Sequence, residues 1–518
     1  MESDRWDVVV VGIGPVGAML TGLLGGRGLR VLGVERQQEV SQIPRAGHFD
    51  HSVLRVVQEL GCLDDILEGA VPNRGLDLVT ADGELLLRLR GDIIAPSGLP
   101  ASTHLHQPHL EQAIRDQLAA MSEVQLALGA EVVDVQDLGD HVRVQLETDE
   151  GRSEVQASYV VGCDGAGSRV RRIANLGLED LGFEESWVVV DLLVDDHPSP
   201  FPTDTLGICD PVRPRYSIEM GRDRHRLEFM VLPGEDPDEL TQPERLRELF
   251  GLFTDPHAVT VERVAAYRFH ALIAEHWRNG RILIAGDAAH QMPPFLGQGL
   301  CAGTRDVHNL AWKLEHVLAR GAPSELLDTY EVERRPQVRH VMDAAIEYGR
   351  IICTTDPEEM QALHDRFLDD ERPPDARLSF RLRGVEAGPL ALLPEGRMFP
   401  QPTVGGGRRL DDVVGPRFLV LARDASALDE PTVSWWRDQV GAFVSAVDDL
   451  GEDEPRLAEW LEARSASVAV VRPDRQLLAL TDDLLTTTMA VCRLLAAGMA
   501  SGVPENEPAG ANSRHHDE

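Results

Sequence analysis

The chain has 518 residues, enough for two or three domains, and 43% of them are apolar, enough to form real cores. Its formal net charge of −36 excludes a nucleic-acid partner, because a surface that tracks phosphates needs clustered positive charge. The six cysteines (Cys62, Cys163, Cys209, Cys301, Cys353 and Cys492) form no close pair at metal-ligand or redox spacing, so no metal site or disulfide framework is expected and a reducing cytoplasm fits best.

In chain order, Val8 to Gly26 has about the length needed to cross a bilayer. It carries Pro15 and six glycines, and no basic segment precedes it, so it reads as a buried strand (Asp7 to Val11), a glycine turn and a helix rather than a membrane span. "GIGPVG" places Gly12, Gly14 and Gly17 around Pro15 and Val16, and "RVLGVE" is the next strand, ending at Glu35, 21 residues after Gly14. That spacing predicts a dinucleotide-binding unit. Gly12 allows the tight turn, Gly14 lets a pyrophosphate approach, Gly17 lets helix pack on strand, and Glu35 accepts from a ribose. Arg36 reads either as a solvated charge or as a cap on the adenosine or its phosphates.

In "IPRAGHFDHSVLRVV" an extended stretch runs into a helix with Asp50 as its N-cap, and His48 and His51 are polar residues gathered at that helix start. Arg45, just after Pro44, can reach a bound anion. "GLDLVTADGELLLRLRG" (75–91) reads as a hairpin around "ADG". In "LHQPHLEQAIRDQL" Pro108 suits the first helical position, Leu110, Ile114, Leu118 and Met121 share a face, and Gln107 is either a polar cap or a ligand contact. "YVVGCDGAGSRVRR" (159–172) runs a strand into Asp164 and Gly165, with Ser168 and Arg169 opening the next helix. Residues 188–268 read as β-rich, with strands such as "WVVVDLLVD" and "RHRLEFMVL".

"RILIA" is a short buried strand, followed by "GDAAHQMPPFLGQG" (286–299), where glycines and paired prolines occupy the approach to a helix. Asp287 at the strand end suits a ribityl or ribose hydroxyl. Beyond it, Val307, Leu310, Ala311, Leu314, Val317 and Leu318 fall at helical spacing, which predicts a helix with one face on the core; His290 and Trp312 read as structural. Lys313 is the only lysine among the 50 basic residues. After "DDERPPDARLS", the segments "GPRFLVLARD" and "ASVAVVRPDRQLLAL" belong to a separate unit, and "PENEPAGANSRHHDE" reads as a disordered tail.

The three motifs, in this order and separation, resemble the group A flavoprotein aromatic hydroxylases, the single-component FAD-dependent monooxygenases, over roughly Asp7 to Arg350. The resemblance implies an α/β chain in three parts. A Rossmann-like FAD-binding domain (1–74, 107–175 and 276–375) carries an inserted β-sheet substrate domain (75–106 and 176–275). A thioredoxin-like domain (385–503), similar to that of the phenol-hydroxylase branch, precedes the tail (504–518). It has no CxxC, which favours a packing or homodimer role over disulfide exchange. That branch commonly has a glycine after "VRPD", where this chain has Arg475.

The same resemblance implies that Gly12, Gly14, Pro15, Val16, Gly17, Glu35 and Arg36 serve the adenosine half of FAD. Arg45, Gln107 and Asp164 would also contact it, the last with a part in NAD(P)H use. Gly286, Asp287, Pro294, Gly297, Gln298 and Gly299 would hold the ribityl chain and isoalloxazine. NADH or NADPH would reduce FAD, oxygen would add to it, and the flavin hydroperoxide would hydroxylate an electron-rich phenol. A base is needed near the phenol, with His48, Asp50, His51 and Tyr267 as candidates, and Tyr216, Arg226, Tyr267 and His270 are pocket candidates. "IPRAGHFDHSVLRVVQELG" and the 286–299 region are most similar to 3-(3-hydroxyphenyl)propionate hydroxylases, whose substrates carry a carboxylate and would need a pocket arginine. Polyketide or other phenols, and a non-oxygenating flavin reductase, are the alternatives. A flavin-dependent halogenase is disfavoured, because "HWRNGRI" and "SWWRDQVG" do not fit its GWxWxIP pattern.

Overall fold

The computed structural model describes residues 5–194, 201, 205–221, 223–253, 260–377, 388–393, 398–451 and 456–496. The expected disordered tail lies outside the described residues.

Strand Arg5–Val11 is central to the first sheet, pairing in parallel with Val31–Glu35 on one side and Gly151–Gly162 on the other. Val124–Leu128 and Ile282–Ile284 extend it in parallel at the two flanks. The inner strands carry apolar runs, Val8–Val11, Val31–Leu32 and Tyr159–Val161, that are buried on both faces, leaving no solvent side there for alternation to mark. Helix Pro15–Gly25 follows the first strand, and Asp50 caps helix His51–Glu59 by accepting from the backbone N–H of Ser52 and Val53, as the sequence predicts. Helix Gly299–Ala319 departs from its expected one-sided pattern: it is buried on every face from Leu300 to His316. It lies between the first sheet's helices, helix Asp328–Ile352 and the C-terminal unit, so its polar residues are interior too.

The second sheet has eight strands, in the order His290–Gln291, Thr260–Ala274, Leu178–Leu193, Arg224–Met230, Arg215–Glu219, Thr205–Cys209, Gly75–Thr80 and Leu85–Arg90. The expected hairpin is present, with Gly75 opposite Arg90. Val188, Val190, Leu192, Leu227 and Phe229 form an outer core with Leu240, Leu246, Leu249 and Phe250 from two short helices. Alternation therefore turns Trp187, Asp191, Arg226 and Glu228 to the inner face. The edge strand His290–Gln291 belongs to the "GDAAHQ" motif and pairs with Leu272 and Ile273, so that one loop ties the two sheets together.

The C-terminal unit has a four-stranded sheet ordered Phe443–Ala446, Leu419–Ala422, Val468–Val471, Leu477–Thr481, parallel in its first pair and antiparallel in the others. It docks through buried charges. Arg55 donates to Asp411 at 2.7 Å, and Lys313 and Arg472 both meet Glu333, at 2.9 and 2.8 Å. Arg475 adopts φ +63°, the left-handed region where glycine is at ease. Its guanidinium compensates by lying 3.5 Å from Asp411 and 3.7 Å from Glu59. Among the described residues no helix is long and apolar enough to cross a membrane, and no cluster of metal-ligating side chains occurs.

Candidate active site

The glycine turn is built as its spacing requires. Gly12 has φ +89°, and a Cβ there would lie 2.6 Å from the Cys163 carbonyl oxygen. A Cβ on Gly17 would come within 1.9 Å of the Gly12 oxygen, whereas one on Gly14 would meet nothing, so the helix N-terminus is open on that side. Pro15 begins the helix, and Val16 packs against Gly286 and Gly303, joining the first motif to the third. Glu35 accepts from the backbone N–H of Ile13 at 2.8 Å and of Gln37 at 3.0 Å. Two carboxylate oxygens offer about four acceptor sites, so capacity remains for a ribose hydroxyl. Arg36 is exposed at the strand end.

Several expected ligand contacts have protein partners. Gln107 accepts from the N–H of Arg45 and Ala46, at 3.0 and 2.7 Å, and so braces the extended 44–46 stretch. Arg226 donates to the Pro44 and Arg45 carbonyls at 2.7 and 3.0 Å, and the Arg45 side chain itself is exposed. Asp164 accepts from the N–H of Arg169 and Val170, at 2.7 and 3.1 Å, and from the Ser168 hydroxyl, so its carboxylate fastens a helix start. Gln298 accepts from Arg305 at 3.0 Å.

The 286–299 loop rests on interior charges that periodicity could not reveal. Asp306, on the buried helix, accepts from His290 Nε2 at 2.6 Å, Arg334 Nε at 2.9 Å and the Gly286 N–H at 3.2 Å. Burial works to raise the Asp306 carboxyl, and His290 and Arg334 outweigh it, so the group sits below its usual range. His290 is structural, as expected. Gly286 and Gly297 take φ +61° and +62°, Pro294 opens a short 3-10 turn, and Gly299 begins the long helix. Asp287 differs from its neighbours: no hydrogen bond within the described residues engages its carboxylate. It is exposed to water, and desolvation by the surrounding protein raises its carboxyl against the pull of His290 and Arg45.

The four proposed bases separate clearly. Asp50 is a buried helix cap paired with Arg305 at 2.6 Å. Burial opposes its ionisation, but Arg305, His51, the Ser52 hydrogen bond and His48 together outweigh burial and hold it well below the carboxylate range, so it is a poor proton acceptor. His48 uses both ring nitrogens, on the Gly297 carbonyl oxygen at 3.0 Å and the Ser102 hydroxyl at 2.7 Å; His51 meets Ser97 at 3.2 Å. Burial lowers the pKa of both histidines. Tyr267 stands half-buried opposite Trp187 on the inner sheet face, with the Arg263 guanidinium 5.3 Å from its ring. Of the pocket candidates, Tyr216 and Arg226 share that face, while His270 falls on the opposite face beside Glu184. Trp187 and Tyr216 pack on Phe295 of the third motif at ring separations of 5.7 and 6.1 Å, so the sheet closes over the loop that follows Asp287.

The FAD binding domain family matches residues 5–345, and the HcaD C-terminal domain matches residues 396–494. Over 519 residues, 97% of each chain, the sequence is 34% identical to a probable NADH-specific resorcinol 4-hydroxylase of Rhodococcus jostii. The chain belongs to the FAD-dependent aromatic hydroxylases. A 3-(3-hydroxy-phenyl)propionate/3-hydroxycinnamic acid hydroxylase of Escherichia coli is 31% identical to this hydroxylase over 90% of each chain. The crystal structure of aklavinone-11 hydroxylase with FAD and aklavinone superimposes with a TM-score of 0.78 at 25% identity, covering 96% of this chain and all of that one. FAD is therefore the cofactor of the hydroxylase, and the site fits it. Adding a Cβ would obstruct the turn at Gly12 and Gly17, while Gly14 faces open space and Asp287 has an uncommitted carboxylate.

Proposed function

We propose that this hydroxylase adds an oxygen atom to a monocyclic phenol, of the resorcinol or 3-(3-hydroxyphenyl)propionate type, with NADH as reductant. The observation that carries this reading is similarity along nearly the whole chain to relatives with single-ring phenol names, at 31–34% identity, against 25% for the polyketide hydroxylase. The inner sheet face is compatible with it, because Trp187, Tyr216 and Phe295 pack together there as a buried aromatic wall, an apolar backing that a single ring can stack on.

When bound, FAD supplies the redox chemistry that joins nicotinamide, oxygen and ring. The chain's own work is placement. The N-terminus of helix Pro15–Gly25 receives the pyrophosphate, Glu35 the ribose and Asp287 the ribityl hydroxyls. Gly297 and Gly299 keep backbone rather than side chain beside the ring system, and the aromatic wall excludes water. Gln107 and Asp164 act one step removed, by fixing the 44–46 stretch and the Asp-Gly turn. The six cysteines are all free, which suits work in a reducing cytoplasm.

Anaerobic reduction of the bound yellow flavin by NADH and NADPH, with and without each phenol, tests this. Strong acceleration by a phenol, followed by a catechol or triol product in air, is the expected result. Fast reduction indifferent to any phenol, with hydrogen peroxide as the sole product, would mean a flavin reductase instead.

A further inference from the structure

On the inner face of the second sheet, Glu228 is a buried acid for which no hydrogen-bond partner is found among the described residues. Glu228 lies directly opposite Val189 on one neighbouring strand and Tyr216 on the other, in the row between the Trp187–Met230 pair and the Asp191–Arg226 pair. It is 6% exposed. Its nearest cation is Arg226, whose Nη1 stands 4.0 Å away. That guanidinium is already spent: Nε donates to Asp191, Nη1 to the Arg45 carbonyl and Nη2 to the Pro44 carbonyl. Arg263, two strands away, is held through Nη1 alone, by Asp191 and the Pro44 carbonyl, and its Nη2 has no hydrogen-bond partner among the described residues. The titratable and charged groups facing Glu228 are thus Arg226, Asp191 and Tyr216. Burial raises its carboxyl to about 7, with Arg226 opposing and Asp191 reinforcing the rise. A buried acid with no partner costs stability unless something else needs it there.

We propose that Glu228 is the catalytic acceptor for the substrate's hydroxyl proton, and that it favours an uncharged phenol over one bearing a carboxylate. This rests on reading the chain as a phenol hydroxylase. The phenolic O–H bond breaks, its proton bonds to a Glu228 oxygen, and the electron pair stays on the substrate oxygen, which activates the ring position to be hydroxylated. Once product has left, the proton returns to solvent. The ring lies on the Trp187, Tyr216 and Phe295 wall, and the sheet places Glu228 beside Tyr216. A substrate carboxylate in the same place would face the Glu228 and Asp191 carboxylates, and the guanidinium nearest to it, that of Arg226, is already occupied, while Arg263, two strands from Glu228, keeps a single Nη2 donor.

The test compares wild-type holoenzyme with Glu228→Gln, using resorcinol and 3-(3-hydroxyphenyl)propionate as probes. In the wild type, bound resorcinol should show the ultraviolet phenolate band below the pH at which free resorcinol ionises. In Glu228→Gln that band should vanish, and hydroxylated product should fall about 100-fold while NADH oxidation continues to peroxide. The variant should also bind the carboxylate-bearing phenol more tightly than the wild type does. An unchanged band with product within about threefold of wild type overturns the role of Glu228. If Glu228→Gln retains no flavin, Glu228→Asp takes its place, and the proposal then requires a retained band with slowed product. Should neither variant hold flavin, the wild type decides: its preference for resorcinol must grow as pH rises through 7, and a flat preference sinks the idea. Wild type that hydroxylates neither phenol defeats the hydroxylase reading itself, a result distinct from all of these.

Discussion

Glu333→Gln is the sharpest probe of how the C-terminal unit is held. Glu333 and Lys313 have no exposed side-chain surface, nor has Arg472, and Asp474 is 4% exposed. Two cations and two anions balance there, with Asn309 donating to both acids at 2.7 and 3.1 Å. Removing the Glu333 charge leaves Lys313 and Arg472 sharing Asp474 alone, an uncompensated buried charge that costs about 3–5 kcal/mol. Burial lowers Lys313 to about 8, with Glu333 the main opposing influence, so the variant's lysine should release its proton more readily still. The sign follows from linkage. A lysine with a depressed folded pKa gains stability as pH rises from the folded toward the unfolded value, because the unfolded chain still holds the proton. The deficit of Glu333→Gln should therefore shrink between pH 7 and pH 9. Urea unfolding followed by tryptophan fluorescence measures it, with Trp312 as the local reporter, since Lys313 and Arg472 lie 5.6 and 5.4 Å from its ring. Adding Lys313→Met restores charge balance and should recover at least half of the loss, about 2 kcal/mol. A loss below about 1 kcal/mol at pH 7, or one independent of pH, refutes the reasoning.

Three further outcomes are expected. Gly17→Ala drives a Cβ into the Gly12 carbonyl oxygen, 1.9 Å away, and should abolish retention of yellow flavin through gel filtration. Asp287→Ala removes an uncommitted carboxylate, so FAD affinity should fall about 10- to 100-fold, the worth of one charged hydrogen bond, with circular dichroism unchanged; equilibrium dialysis reads this. Arg475→Ala keeps the left-handed backbone and loses the ion pairs, whereas Arg475→Gly loses the pairs but relieves the backbone. Denaturant midpoints should place the alanine variant about 1 kcal/mol below the glycine one.

Much of the site is legible in the amino-acid sequence because backbone geometry dictates it locally. The positive φ of Gly12 and Gly286, the capping by Asp50, the turn into Asp164 and the hairpin at 75–91 each follow from residue chemistry within a few positions. Local spacing also singles out Glu35, at a strand end 21 residues after Gly14, and Asp287, directly after the strand end and Gly286.

What the sequence could not convey depends on partners far apart in the chain. Gln107 braces Arg45 from 62 residues away, Asp306 finds both His290 and Arg334, and the single lysine is interior because Glu333 and Arg472 meet it there. Helix Gly299–Ala319 is polar enough to suggest a solvent face, yet a third layer covers it. Glu228 shows the limit most plainly. In "RHRLEFMVL" it is one more charged residue on an alternating strand, and alternation says only which face it shares with Arg226. That this face is buried, and that Arg226 is committed elsewhere, is decided by the meeting of the two sheets, which only the tertiary structure sets.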